Sequence, residues 1–277
     1  MNSLDGVIKG WHKHKILSSK IKVCKTLAHF NAQSFEYYYF AKDYILSNEE
    51  TLFLENVFKR LNSCEPLSKI LGISSFYGQD FIINEHVLDP RPDSECLIDA
   101  VLSYDKVQRF ETILDLGLGS GCLIITLLLE IPKLHGLGVD FCDNALDVAC
   151  QNIQKFGLKD RVQHLKSDWF KNVPEQLFDC IISNPPYIGL DYKLEKSVLD
   201  YDPHSALFSG KDGLNDYCLI FKGLPKFLKP GGFFFGEIGF DQKEKIKKEL
   251  QNHQSLIFIE CIKDLNGHDR VIVIRKN

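Results

Sequence analysis

The segment Leu114-Asp115-Leu116-Gly117-Leu118-Gly119-Ser120-Gly121 constrains the fold of this chain more than any other. It joins the apolar run Thr112–Leu116 to a second one, Cys122–Glu130, through three glycines spaced G-x-G-x-G. Glycines between a buried strand and a helix let the chain turn tightly and let a ligand come close to its backbone. Downstream, β-type and helix-type stretches alternate. Strands are predicted at Gly136–Asp140, Val162–Lys166, Phe178–Ser183 and Phe233–Ile238, with a sharp turn at Pro230-Gly231-Gly232. Helices are predicted at Asn144–Phe156, Tyr217–Leu228 and Gln242–Asn252, and Leu256–Ile262 and Val271–Arg275 read as two closing strands. Strands alternating with helices imply an α/β fold, a mostly parallel sheet covered on both faces.

At 277 residues, with 44% hydrophobic and 25% charged side chains, the chain has globular composition and room for two unequal domains. Its 33 Lys plus Arg against 37 Asp plus Glu leave a net charge of −4, which excludes strong non-specific polyanion binding. No apolar run approaches the roughly 18–20 residues of a membrane span. The longest candidate, Cys122–Leu129, is interrupted by Thr126. The N-terminus has no signal-peptide pattern and no Arg before Arg60. Nine cysteines without a C-x-x-C pair read as scattered reduced thiols of a cytoplasmic protein, and no metal is expected.

Residues 1–75 read as a helical domain. Ser47-Asn48-Glu49-Glu50 is a capping box opening a helix whose stripe is Leu54, Val57, Phe58 and Leu61. The aromatic cluster Phe35, Tyr37, Tyr38, Tyr39 and Phe40 reads as buried helical core, since nothing basic interleaves with it. Lys9, Lys13, Lys15, Lys20, Lys22 and Lys25 read as a solvated face, with a docking patch for an acidic partner or RNA as the alternative. Over residues 1–90 ten basic and ten acidic side chains cancel, so the region is not an obvious nucleic-acid module. Residues 76–92 read as a linker: a hairpin over Phe76–Ile83, then the stiff Asp89-Pro90-Arg91-Pro92. The second domain is placed at 93–277.

Chemistry-bearing residues gather at the predicted strand ends. A dinucleotide fingerprint requires glycine where this chain has Cys122, so the G-x-G-x-G turn suits a nucleoside with a short zwitterionic tail. Asp140 ends the next strand 23 positions after Gly117, near the offset at which a carboxylate meets ribose hydroxyls. Ser167-Asp168-Trp169-Phe170 follows the third strand, offering a carboxylate for an adenine amino group and an aromatic to pack on its ring. In this order the three strand ends point to S-adenosylmethionine. Asn184-Pro185-Pro186-Tyr187 follows the fourth strand. An amide or exocyclic amine nitrogen delocalises its lone pair, so a site that methylates it must align the nitrogen and accept hydrogen bonds from its N–H groups. The Asn184 side-chain oxygen and the Pro185 carbonyl are the expected acceptors. Two prolines stiffen the loop, and Tyr187 is the expected wall for a planar substrate group.

With these residues the sequence resembles the Rossmann-like class I S-adenosylmethionine-dependent methyltransferases. More narrowly it resembles the HemK/PrmC family of peptide chain release factor glutamine methyltransferases. The resemblance covers nearly the whole chain. It includes Glu65-Pro66-Leu67 with Gly72, Phe76-Tyr77-Gly78, Arg91-Pro92-Asp93-Ser94-Glu95, Asp115–Gly121, Asp168–Phe170 and Asn184–Tyr187. It continues through Ala206-Leu207, Asp212-Gly213-Leu214, Pro230–Gly232, Glu237-Ile238-Gly239 and Asp269-Arg270. The asparagine-proline motif is shared with nucleic-acid amine methyltransferases. The arginine-proline stretch joined to a helical N-terminal domain is more specific.

The resemblance implies a small N-terminal helical domain, a β-hairpin linker and a mostly parallel sheet whose last strand is antiparallel. It also implies methyl transfer to the glutamine side-chain amide in the Gly-Gly-Gln motif of class-1 release factors. By position, Gly117, Leu118, Gly119, Ser120, Gly121, Asp140, Asp168, Trp169 and Asn184 would hold the cofactor. Asn184, Pro185, Pro186 and Tyr187 would grip the glutamine, with Asn184, Pro185 and Tyr187 catalytic, and the helical domain would help dock the release factor. A monomer with no membrane or direct nucleic-acid role is expected. Leu118 and Ser94 stand where the family usually has Thr, and Asp89 where it tends to be aliphatic. The rivals are a nucleic-acid amine methyltransferase, for which neither a target-recognition insert nor a basic face is visible, and a non-catalytic binding protein on the same scaffold, although its cofactor and acceptor positions are filled.

Overall fold

A computed structural model of the protein describes residues 3–16, 18–41 and 43–277. The chain divides into two compact units. One comprises residues up to Gly72 together with Glu195–Tyr201, and the other Ile73–Leu194 together with Asp202–Asn277.

The smaller unit is helical: α1 (Leu4–Lys13), α2 (Ser19–Asn31), α3 (Phe35–Tyr39), α4 (Asn48–Asn62) and α5 (Leu67–Leu71). Its core gathers Leu4, Trp11, Val23, Leu27, Tyr38, Leu54 and Val57, with Phe58 and Leu61 half-buried beside them. The capping box forms as expected at the start of α4. Glu50 does more than cap. Its carboxylate accepts from the Ser47 N–H at 2.7 Å, Tyr44 Oη at 2.8 Å and Asn31 Nδ2 at 2.7 Å, tying α2 and the α3–α4 loop to α4. Burial would raise its pKa, but these donors outweigh burial and hold it below the ordinary 4.5.

The aromatic cluster is less buried than its sequence suggests. Tyr38 is core and Phe35 and Tyr39 pack against it, but Tyr37 and Phe40 are 55% and 74% exposed. A helix as short as α3 has only one inward stripe, so the aromatics of Phe35–Phe40 cannot all reach it. The N-terminal lysines are exposed except Lys22, which is half-buried, and Lys20 Nζ lies 4.2 Å from the Tyr39 ring centroid.

The larger unit opens with the hairpin β1 (Ile73–Phe76) and β2 (Gln79–Ile82). Tyr77 and Gly78, both at positive φ, form its two-residue turn, the geometry that matches strand twist. A 3-10 turn, Pro92–Ser94, leads into α6 (Glu95–Gln108), a helix the sequence reading did not delimit. Then follow β3 (Thr112–Leu116), α7 (Cys122–Glu130), β4 (His135–Asp140), α8 (Asp143–Lys155), β5 (Val162–Lys166) and β6 (Phe178–Ser183). After α9 (Lys196–Tyr201), which groups with the smaller unit, come α10 (Asn215–Phe227), β7 (Leu228–Glu237), α11 (Lys243–Leu250), β8 (Leu256–Lys263) and β9 (Asp269–Lys276).

Seven strands form one sheet in the order β5-β4-β3-β6-β7-β9-β8, and β9 alone runs against the rest. This is the expected α/β architecture. The expected turn at Pro230-Gly231-Gly232 forms as a bulge inside β7: Leu228 pairs with Phe178 and Phe233 with Cys180, so residues 229–232 loop out opposite Asp179, with Gly231 at φ +77°. Strand parity explains the two-faced core. Ile113, Cys180, Ile182, Phe233 and Phe235 face one layer with α6, α7 and α8, while Leu114, Leu116, Ile181, Phe234 and Ile272 face the other with α10 and α11. The order reverses beside β3: β4 and β5 extend one way, and β6 returns on the other side. The carboxyl ends of β3 and β6 thus flank the crevice where open α/β sheets bind ligands. Among the described residues no helix is long and apolar enough to cross a membrane.

Glu50→Ala should cost on the order of 2–3 kcal/mol, because it strands several donors at once. Urea unfolding followed by circular dichroism measures it, and a change below about 0.5 kcal/mol would remove Glu50 as the centre of the helical unit.

Candidate active site

A cavity of about 500 Å³ opens at the switch point. The turn after β3 forms its floor. Gly117 and Gly119 have φ of +81° and +52°, left-handed values that a side chain would strain, and a Cβ on Gly117 would lie 3.9 Å from Trp169 Cζ3. The Gly119 N–H donates to Asp140 Oδ2 at 2.9 Å, and the Cys142 N–H to Asp140 Oδ1 at 3.0 Å. The two strand-end loops are thereby locked together. Each Asp140 oxygen keeps acceptor capacity beyond these bonds. Burial raises the Asp140 pKa, opposed by the backbone N–H groups of Cys142, Gly119 and Phe141.

Leu118, where the family usually has Thr, buries its side chain in the core. It is 4% exposed and packs over Gly138, where a Cβ would come within 2.4 Å of Leu118 Cδ1. The leucine is a core residue at the cavity's edge. Ser120 is buried and its carbonyl accepts from Asn152 Nδ2 at 2.9 Å.

Trp169 sits at φ +50°, a left-handed conformation rare for a large residue. Two bonds hold that turn: Ser167 Oγ donates to the Trp169 carbonyl at 2.7 Å and accepts from the Asn172 N–H at 3.0 Å. The indole Nε1 donates to Asp216 Oδ1 at 3.2 Å, fixing the ring. Asp168 lines the cavity and is ion-paired with Lys171 at 2.6 Å.

Of the residues singled out from sequence, Gly117, Leu118, Gly119, Ser120, Asp140, Asp168, Trp169, Asn184 and Pro186 line this one cavity. Gly121, Pro185 and Tyr187 do not. Gly121 caps α7, Pro185 is buried, and Tyr187 is anchored behind the loop. Its phenol donates to Glu237 Oε1 at 3.1 Å, and its carbonyl accepts from Gln242 Nε2 at 2.8 Å. Asn184 Nδ2 donates to Ser94 Oγ at 3.2 Å, and Ser94 Oγ donates to Glu237 Oε2 at 2.5 Å.

Phe141, 55% exposed at the cavity, was missed from sequence although it directly follows Asp140. Glu237 received no role although its signal was visible: a lone carboxylate closing the apolar strand Phe233–Gly236 at the ligand-binding edge. Arg91, also lining the cavity, pairs with Asp202 at 2.5 Å, and Asp202 Oδ1 accepts the backbone N–H of the unusual Asp89 at 3.2 Å.

The donor set fits a cationic nucleoside cofactor such as S-adenosylmethionine. Beneath the glycine turn Asp115 is 1% exposed, and neither carboxylate oxygen has a hydrogen-bond partner among the described residues. Asp140 and Trp169 line the cavity at adjacent strand ends.

Comparison with known proteins agrees with this geometry. The family model described as methyltransferase small domain matches residues 92–198. The release factor glutamine methyltransferase of Cereibacter sphaeroides is 40% identical over 213 residues, covering 76% of this chain and 74% of that protein. The chain belongs to the release factor glutamine methyltransferase family. The family's representative from Agrobacterium fabrum is 36% identical, with 83% of this chain and 81% of that protein covered. A bifunctional methyltransferase of Rickettsia typhi is 40% identical over 83% of this chain but only 48% of its own length, so the chain spans about half of such relatives. Among solved structures, a methyltransferase from Pyrococcus furiosus superposes with a TM-score of 0.54 at 19% identity, covering 80% of this chain and 98% of that one. That likeness shows the shared fold.

Burial raises the Asp115 carboxyl well above its ordinary 3.8, and the charge of Asp140 adds to the rise. A raised folded-state pKa stabilises fully below the unfolded value, and that contribution is lost as pH climbs through the folded value. Asp115→Asn has no such proton to lose. Its melting temperature relative to wild type should therefore rise with pH from about 4 upward. Thermal unfolding at a series of pH values tests this, and a pH-independent difference would show that Asp115 is ionised throughout.

Proposed function

We propose that this protein transfers a methyl group from S-adenosylmethionine to the glutamine side-chain amide in the Gly-Gly-Gln motif of class-1 release factors. The observation that carries this reading is the meeting of Asn184 with Gly117–Ser120, Asp140 and Trp169 around one cavity, in a chain of this family. When bound, the cofactor supplies an activated methyl group on a sulfonium. The protein's part is to hold the acceptor nitrogen. A neutral amide is a weak nucleophile because its lone pair is delocalised. Asn184 Oδ1 and the Pro185 carbonyl accept from its two N–H groups, fix the approach and stabilise positive charge as it develops. No base is needed before transfer, since the nitrogen becomes acidic only once it is methylated. Gly117, Leu118, Gly119 and Ser120 hold the cofactor through the loop, Asp140 takes the ribose, and Trp169 and Phe141 pack beside the base.

In the same reading residues 1–75 form the docking domain for the release factor, 76–92 link it to the methyltransferase domain at 93–277, and the protein acts as a cytoplasmic monomer. Incubation with methyl-labelled S-adenosylmethionine and a class-1 release factor should label the factor. Equal labelling of a factor whose Gly-Gly-Gln glutamine is changed would sink the proposal, and label appearing in RNA or DNA instead would favour a nucleic-acid amine substrate.

Two substitutions separate the roles. Asn184→Ala should leave cofactor affinity nearly intact and lower turnover by roughly 100-fold or more, the scale of a lost electrostatic contact. Asp140→Ala should instead weaken cofactor binding, read by calorimetry. Near-wild-type turnover in the first, or an unchanged dissociation constant in the second, would overturn the respective assignment.

A further inference from the structure

Ser94 occupies the N-cap position of α6, where a serine ordinarily accepts a hydrogen bond from an amide of the first helical turn. Here its side chain makes no such bond. The hydroxyl, 3% exposed, points instead to the carboxyl edge of the sheet, between Asn184 and Glu237. Glu237 is 1% exposed, and no ion pair reaches its carboxylate among the described residues. Its oxygens take one hydroxyl each, Ser94 Oγ at 2.5 Å and Tyr187 Oη at 3.1 Å, while its backbone carbonyl accepts from Tyr217 Oη.

With Glu237 ionised, the direction of these bonds follows from counting protons. A carboxylate only accepts, and a serine hydroxyl has a single proton. Once that proton is given to Glu237, Ser94 Oγ can only accept from its other neighbour. That neighbour is Asn184 at 3.2 Å, so the atom facing Ser94 must be the nitrogen, Nδ2. The amide is planar, which leaves Oδ1 directed away from Ser94, and Asn184 lines the cavity. With Ser94 removed, the Asn184 amide could flip and present a donor to a donor.

We propose that Ser94 and Glu237 are positioning residues that set the polarity of the acceptor site. Glu237 commits the Ser94 proton, Ser94 commits Asn184 Nδ2, and Asn184 Oδ1 is thereby the atom offered to the substrate amide. The same carboxylate anchors Tyr187, so one buried group holds both ends of the Asn184–Tyr187 loop. This inference rests on the acceptor role given to Asn184 above.

The test compares Ser94→Ala, Ser94→Thr and Glu237→Gln with wild type in two measurements. One follows the Asn184 side-chain amide in 15N-labelled protein, without substrate, assigned with Asn184→Ala. The other follows steady-state methylation of a class-1 release factor. In wild type and Ser94→Thr the amide should give a resolved, exchange-protected pair. Ser94→Ala and Glu237→Gln should lose that protection. In the latter an amide replaces the all-acceptor carboxylate and can accept from only one of the two hydroxyls. Turnover in these two should fall by about 10–100-fold, the scale of a misplaced reacting group, with KM changing far less. Ser94→Thr should stay within about threefold of wild type in both measures. Unaltered Asn184 amide signals in both Ser94→Ala and Glu237→Gln would overturn the inference, as would a threonine that fails to rescue. Absence of methylation by the wild-type enzyme would instead refute the substrate reading, and the amide signals would still decide the positioning role.

Discussion

The pairing of β3 with β4 on one side and β6 on the other fixes where everything else can stand. Parallel strands in register end at one edge, so the residues that follow each strand become neighbours however far apart they lie in the chain. Gly117 and Asn184 face one crevice for this reason, and Asp140 joins them because β4 is the next strand out. Ser183 Oγ donates to the Leu116 carbonyl at 2.7 Å, fastening the two central strand ends just before their loops diverge.

On that edge two hydrogen-bond systems divide the labour. The Asp140–Gly119 bond links loops that leave adjacent strands, on the side proposed for the cofactor. The Glu237–Ser94–Asn184 system lies on the side proposed for the acceptor and reaches back to the 3-10 turn that opens α6. Nearby, Arg270 bonds Asp264 at 3.0 Å and Asp93 at 3.1 Å, placing a cation beside the turn that carries Ser94. It opposes the rise that burial imposes on the Glu237 pKa.

Much of this was legible in the sequence, because strand-ending motifs are local. The turn after β3, Asp140, Trp169 and Asn184 each announce themselves within a few residues of a predictable strand. What stayed hidden depends on distant pairing. Ser94 and Glu237 lie 143 positions apart and meet only when α6 packs over the folded sheet. Leu118 could not be read as core without Gly138 beneath it. Tyr37 and Phe40 were misread for the opposite reason, since apolar character alone does not say which side of a short helix a residue takes.

The position of β9 has a consequence for how the molecule is made. It is the last strand of the sheet in chain order, yet it lies between β7 and β8. Until it is synthesised β8 has no sheet partner and β7 presents a bare edge, the kind of surface that recruits other chains. The outer part of the sheet therefore cannot assemble stepwise as the chain emerges. Its closure brings Arg270 and Asp269 into place, and a chain halted before Asp269 would leave β7 with an unpaired edge.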